Sequence, residues 1–422
     1  MKNQNTPLPV TRRDFLRRST FGGIGLLAFS GYAPLFLTRS AYAQVPRPEK
    51  DRSILVLIQL AGGNDGLNTV IPGSDDRYFN LRPQLAIREG THAINDDLAF
   101  HPACAELAGL HHEGKLSIIQ NVGYPNPNRS HFRSMEIWET ATDSDVIGHY
   151  GWLGRFFDNA CAGTPSTDPV GLHISGETPQ AFLAEANHSL FGLANAGRAR
   201  RGSRRGQDAA DSDDENALLK QLASASGDDP NTSFLQHTLM DALVTEKRVQ
   251  QILAGDQPEA TYPGGRLSQS LQGVAALIAA GLETRVYFVT LGGFDTHANQ
   301  AGSHQNLLTE LSGAMQAFQQ DLEARKLDGQ VLTMTFSEFG RRPNENAGGG
   351  TDHGTAAPLF VMGSGLKAPL LGAAPDLNLR RGQDLQYTTD FRQVYATVLE
   401  KWLQAPSGEV LGQPFETLPF LV

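Results

Sequence analysis

Cysteine is scarce: the chain of 422 residues has two, Cys104 and Cys161. No disulfide framework can staple it, although a single bridge stays open in an oxidising compartment. Positive charge is also short, with 35 Lys and Arg against 45 Asp and Glu and a net charge of −10. Nucleic acid and anionic lipid bind through neutralisation by Lys and Arg, so neither is an expected partner. Beyond residue 43 no apolar run is long enough to span a bilayer, and no stable membrane insertion of the mature chain is expected. There is no internal repeat, and a hydrophobic content of 40% excludes disorder over most of the chain.

What is present first is an address. Thr11-Arg12-Arg13-Asp14-Phe15-Leu16-Arg17 precedes an apolar stretch over residues 21–37 and then Ala41-Tyr42-Ala43. Basic region, apolar region and small-x-small site are the parts of a secretory signal. Paired arginines followed by Phe and Leu indicate the twin-arginine type. The expected early partners are therefore the twin-arginine translocase and a signal peptidase, and the expected location is periplasmic or secreted. A retained N-terminal anchor is the competing reading, disfavoured by the glycines, by Pro34 and by the Ala-x-Ala site. Cleavage after Ala43 removes six basic residues and one acidic residue, taking the net charge from −10 to −15.

The remainder, residues 44–422, alternates strand and helix. Ser53-Ile54-Leu55-Val56-Leu57-Ile58-Gln59-Leu60 is a continuous apolar run closed by Ala61-Gly62-Gly63-Asn64-Asp65-Gly66, which suits a central strand buried on both faces. Similar runs lie at 116–122, 285–291, 330–336 and 357–362, with helical patterns at 132–140, 267–281 and 306–325. The expected fold class is α/β, a mostly parallel central sheet flanked by helices on both faces. Over about 163–263 the rhythm weakens. That segment carries a basic block, Arg198-Ala199-Arg200-Arg201, and an acidic one, Asp211-Ser212-Asp213-Asp214-Glu215, so it reads as an inserted helical and loop cap.

In open α/β sheets ligands gather at the carboxyl ends of strands. Three strands deliver carboxylates or imidazoles there: Asp65 after the first, Asp295 and His297 after the run at 285–291, and Glu338 after the run at 330–336. His353, within Gly350-Thr351-Asp352-His353-Gly354, can fold over the same edge. Asp, Glu and His converging beside glycines suit a divalent cation, although an Asp or Glu at a strand end is often only a helix cap. Ser130, in Asn128-Arg129-Ser130-His131-Phe132-Arg133-Ser134, opens a helix. Two readings stand: a nucleophile favoured by the helix dipole, with Arg129 and Arg133 clamping an anion, or an N-cap.

These motifs, with Gly293-Phe294-Asp295-Thr296-His297 and Ser337-Glu338-Phe339-Gly340-Arg341, resemble the bacterial family of domain of unknown function 1501, within the alkaline phosphatase and sulfatase superfamily. The resemblance runs from about residue 53 to 421. It implies one or two divalent cations (Zn, Mg, Mn or Ca), with Asp65 similar to the first-strand carboxylate ligand and Ser130 similar to the nucleophile. Asp295 with His297, and His353, are similar to the ligands of another cation. His304 competes with His297 for the pair's second place. Phe339 stands where the superfamily has a His ligand, which leaves His131 or Asp352 as substitutes. The Cys-x-Pro-x-Arg pattern of many sulfatases is missing. The implied activity is metal-dependent hydrolysis of phosphate or sulfate esters, on a small-molecule or saccharide substrate. The alternative is a non-catalytic binding or assembly protein that retains the fold.

Overall fold

The computed structural model describes residues 53–161, 168–174, 176–193, 230–380 and 382–421. The twin-arginine segment and the charged blocks at 198–215 lie outside them. The main strands are β1 (Ile54–Ala61), β5 (Leu116–Gly123), β6 (Gly171–Ile174), β7 (Leu190–Gly192), β8 (Val286–Gly292), β9 (Val331–Phe336) and β12 (Ala357–Met362). Smaller ones are β2 (Val70–Ile71), β3 (His92–Ala93), β4 (Ala99–Phe100), β10 (Arg341–Glu345), β11 (Thr351–His353), β13 (Leu370–Leu371) and β14 (Thr389–Asp390).

One sheet runs in the order β13-β5-β12-β9-β1-β8-β6-β7, with β14 also paired to β5. β1 lies at its middle, Leu57 opposite Phe288 of β8 on one side and Met334 of β9 on the other, both parallel. Successive side chains of a strand point to opposite faces. Ile54, Val56, Ile58 and Leu60 therefore enter one core, with the helices Ala105–His112, Arg266–Ala279 and Gln300–Ala324. Leu55 and Leu57 enter the other, with the helices His131–Thr140, Trp152–Ala160 and Phe391–Thr397. A strand apolar on both faces is what a sheet sandwiched between two helical layers requires.

The fold is thus α/β and mostly parallel, as expected. β12 differs from the other strands, running antiparallel to both β5 and β9. It follows β9 through the antiparallel pair β10 and β11 rather than a crossover helix, and an antiparallel return needs no crossover. Within 163–263, β6 and β7 extend the main sheet through β8. The helix Pro230–Gly255 lays Val249 and Leu253 into the first core. Among the described residues no helix is long and apolar enough to cross a membrane.

Candidate functional site

The carboxyl ends of β1, β8 and β9 meet at one edge, and glycine makes the approach possible. Gly62 (φ 120°) and Gly63 (φ 87°) follow β1, and a Cβ on Gly62 would collide with the backbone nitrogen of Asp295. Only glycine fits there without strain. The fully buried Arg341 then ties the ends together. It donates to the carbonyls of Gly62, Gly63 (2.8 Å), Phe294 (2.9 Å) and Thr351 (2.9 Å), and to Asp295 Oδ1 at 2.7 Å.

Around Asp295 stand three imidazoles. His297 Nε2 and His353 Nε2 each lie 3.0 Å from Asp295 Oδ1 and 2.9 Å from each other. His131 Nε2 is 3.5 Å from Asp295 Oδ2. His131, Asp295 and His353 offer ligand atoms all within 4.8 Å of one another. Atoms bound tetrahedrally to one cation at about 2.0–2.1 Å are themselves about 3.3 Å apart, so the spacing fits a single ion.

The far nitrogen of each ring faces an acceptor. His353 Nδ1 lies 2.9 Å from the carbonyl of Arg129, which can only accept, so Nδ1 is a donor there and Nε2 is the nitrogen turned to Asp295. His131 Nδ1 donates to Glu338 Oε1 at 2.8 Å, and His297 Nδ1 faces Asp352 Oδ1 at 3.6 Å. Acceptors behind imidazoles are what orient them as metal ligands. Partial burial works against ionisation of Asp295, but hydrogen bonds from Arg341 and His353 and the charge of Arg341 hold its carboxyl down at about 2.

Of the residues singled out in the sequence, Asp295, His297, His353 and His131 come together in this cluster. Glu338 and Asp352 stand behind it. Glu338, fully buried, also accepts the Gly62 N–H at 2.8 Å. Arg129 contributes its carbonyl, while its guanidinium pairs with Asp384 at 3.1 Å. Arg133 is turned away, bound to Glu136 at 2.7 Å and to the carbonyls of Ser144 (3.0 Å) and Val146 (2.6 Å). Ser130 is exposed at the N-cap position of His131–Thr140, next in chain to His131, and its hydroxyl makes no capping hydrogen bond.

Asp65 is not in the open cluster. It is buried in an ion pair with Arg82, Nη1 to Oδ2 2.6 Å, and accepts from Gln300 as well. Burial opposes its charge, but the Arg82 guanidinium holds the carboxyl below its ordinary value. His304 is buried beside it, Nε2 3.1 Å from Asn64 Oδ1, and burial drives its pKa down to about 4. Phe339 packs its ring against His353 and His131, centroids 4.6 and 5.0 Å away, and so forms a wall of the cluster. Arg82 and Arg341 were not apparent as site residues from sequence. Arg341 at least ends the Ser337-to-Arg341 motif, whereas no local signal marks Arg82.

Comparison with solved structures finds likenesses at low identity. The zinc complex of the C-terminal periplasmic domain of EptC from Escherichia coli is 10% identical, with a TM-score of 0.33 and 77% of each chain covered. The sulfatase PsFucS1 from Pseudoalteromonas sp. is 9% identical, with a TM-score of 0.35, covering 89% of this chain and 75% of its own. An alkaline phosphatase from the Antarctic bacterium TAB5 is 13% identical, with a TM-score of 0.32, covering 75% of this chain and 93% of its own. Comparison with curated proteins gives no match. Residues 52–408 match the family described as protein of unknown function (DUF1501), and the chain belongs to that family.

Proposed function

We propose that this chain is an exported, metal-dependent enzyme that cleaves or transfers phosphate or sulfate esters, with Ser130 as nucleophile. The observation that carries the reading is the convergence of His131, His297 and His353 through Nε2 on the Asp295 carboxylate. Each ring's outer nitrogen faces an acceptor, so the donor set matches a divalent cation held by imidazole and carboxylate. Export rests on the twin-arginine motif at Arg12-Arg13, with translocase and signal peptidase as the partners it implies.

A divalent cation, if held by these four residues, would supply Lewis acidity toward an ester oxygen. The chain's own groups do the rest. Ser130, at the N-terminus of a ten-residue helix, lies in the positive field of the helix dipole, which favours its ionised form and a bound anion. Its oxygen attacks phosphorus or sulfur, the bond to the leaving alcohol breaks, and the alcohol takes up a proton. Water, or an acceptor alcohol, then cleaves the seryl ester and restores the hydroxyl. Arg129 and Ser130 are exposed at the rim, where a saccharide or other small ester is the proposed substrate.

The test is a panel of aryl phosphates, phosphodiesters and sulfates offered to the purified processed chain, with and without chelator. Turnover that is lost on chelation and in Ser130→Ala supports the proposal. Cation binding without turnover of any ester would favour instead a binding protein that retains the fold.

A further inference from the structure

The second carboxylate of the strand-end edge, Asp65, already has a cation of its own. Arg82 enters from the helix Asp76–Leu81 and its following turn, and its guanidinium is completely buried. Nη1 donates to Asp65 Oδ2 at 2.6 Å and to Asn68 Oδ1 at 2.8 Å, Nε to the carbonyl of Pro343 at 2.8 Å, and Nη2 to that of Arg342 at 2.9 Å. Gln300 donates to the same Asp65 oxygen. Asp65 Oδ2 is therefore saturated by donors. Its Oδ1, buried as well, has no protein donor.

A divalent ion at that one oxygen would need further ligands, and the neighbours are committed. His304 Nε2 is already engaged with the Asn64 side-chain amide, 3.1 Å from its Oδ1. Glu338 Oε1 is held by the Gly62 N–H and by His131, and its Oε2 faces the Ser337 hydroxyl at 3.4 Å. Phe339 fills the adjoining space with an apolar ring, packed so closely that a Cβ on Gly63 would meet it. A doubly charged ion beside Asp65 would also face the fixed charge of Arg82 in a site shut from water, where repulsion is poorly screened.

We infer that Arg82 is a permanent internal cation that takes the place of a metal ion at Asp65, so the centre holds a single divalent ion, at Asp295, His131, His297 and His353. Asp65 and Arg82 are then positioning residues. Their ion pair anchors the chain after β1 to the β10 segment, through the carbonyls of Arg342 and Pro343. This rests on the metal reading proposed above and departs from the family resemblance, in which Asp65 is a ligand.

Zinc titrated calorimetrically into the chelator-treated processed chain tests it. The expected result is one ion per chain in the wild type, one in Asp65→Asn with affinity within threefold, and none in His353→Ala. Should Asp65→Asn fail to fold, the double variant Asp65→Asn/Arg82→Met removes the buried charges together and is expected to bind one ion. Two ions in the wild type, falling to one in either Asp65 variant, would overturn the inference while leaving the metal reading intact. A wild type that binds none overturns both.

Discussion

Arg341 and Asp295 form one ion pair, yet their removal has very different expected costs. The guanidinium is fully buried and satisfies four backbone carbonyls from three strand-end segments, whereas the Asp295 side chain is 47% exposed. Arg341→Met keeps the volume but leaves those carbonyls without their donor. Each stranded buried acceptor costs on the order of 1–3 kcal/mol before relaxation, and water reaching the loops recovers part. A net loss of about 3–5 kcal/mol is expected, a large share of the roughly 5–15 kcal/mol that holds a domain together. Asp295→Asn keeps an oxygen acceptor at a half-exposed position, and its expected cost is below about 1 kcal/mol. Urea unfolding followed by tryptophan fluorescence, in chelator so that no cation contributes, measures both by linear extrapolation. Equal losses, or a larger loss in Asp295→Asn, would refute the claim that Arg341 holds the edge together through backbone carbonyls.

Three further outcomes follow from particular contacts. Burial pushes the Glu139 carboxyl up to about 7 from an ordinary 4.5, against hydrogen bonds from the Ala181 and Gln180 N–H groups. The folded state therefore holds a proton that the unfolded state releases, and this contribution, at most about 3 kcal/mol, is complete below pH 4.5 and lost as pH rises through 7. Glu139→Gln should flatten that decline in denaturation midpoints between pH 5 and 8; an unchanged slope would assign the decline elsewhere. Gly62→Ala should cost more than about 1 kcal/mol and weaken cation binding, because its φ of 120° and the Asp295 backbone both exclude a Cβ. Thermal melts and zinc titration check this, and a silent substitution would contradict the close approach of β1 and β8. Ser130→Ala should move the melting midpoint by less than a degree or so, since the hydroxyl caps nothing, whereas a loss of about 1 kcal/mol would restore the capping role.

The central strands were legible because β-branched runs closed by glycine are distinctive, and β1, β5, β8, β9 and β12 all start within a residue of their expected positions. Strand direction was not legible. Nothing in Ala357-Pro358-Leu359-Phe360-Val361-Met362 says that it runs against its neighbours, because a strand buried on both faces has the same composition in either sense. β6 and β7 were also hidden, being three or four residues long and set in a stretch dominated by charged blocks. In the site, the Asp295-x-His297 pair and His353 could be read from spacing at strand ends. The place of His131 could not, since it depends on Glu338, 207 positions away, accepting from its outer nitrogen. Asp65 carried the same strand-end signature as Asp295. What separates the two is Arg82, whose approach to Asp65 is a tertiary event with no pattern in the local sequence.

X-ray absorption at the zinc edge of the loaded, processed chain examines the donor set itself. Three imidazoles and one carboxylate oxygen around one ion should give four nitrogen and oxygen neighbours at about 2.0–2.1 Å, with strong outer scattering from imidazole rings that weakens in His131→Ala and in His353→Ala. A spectrum with oxygen neighbours alone, or one unchanged by those two substitutions, would contradict the cluster as the place where a cation binds.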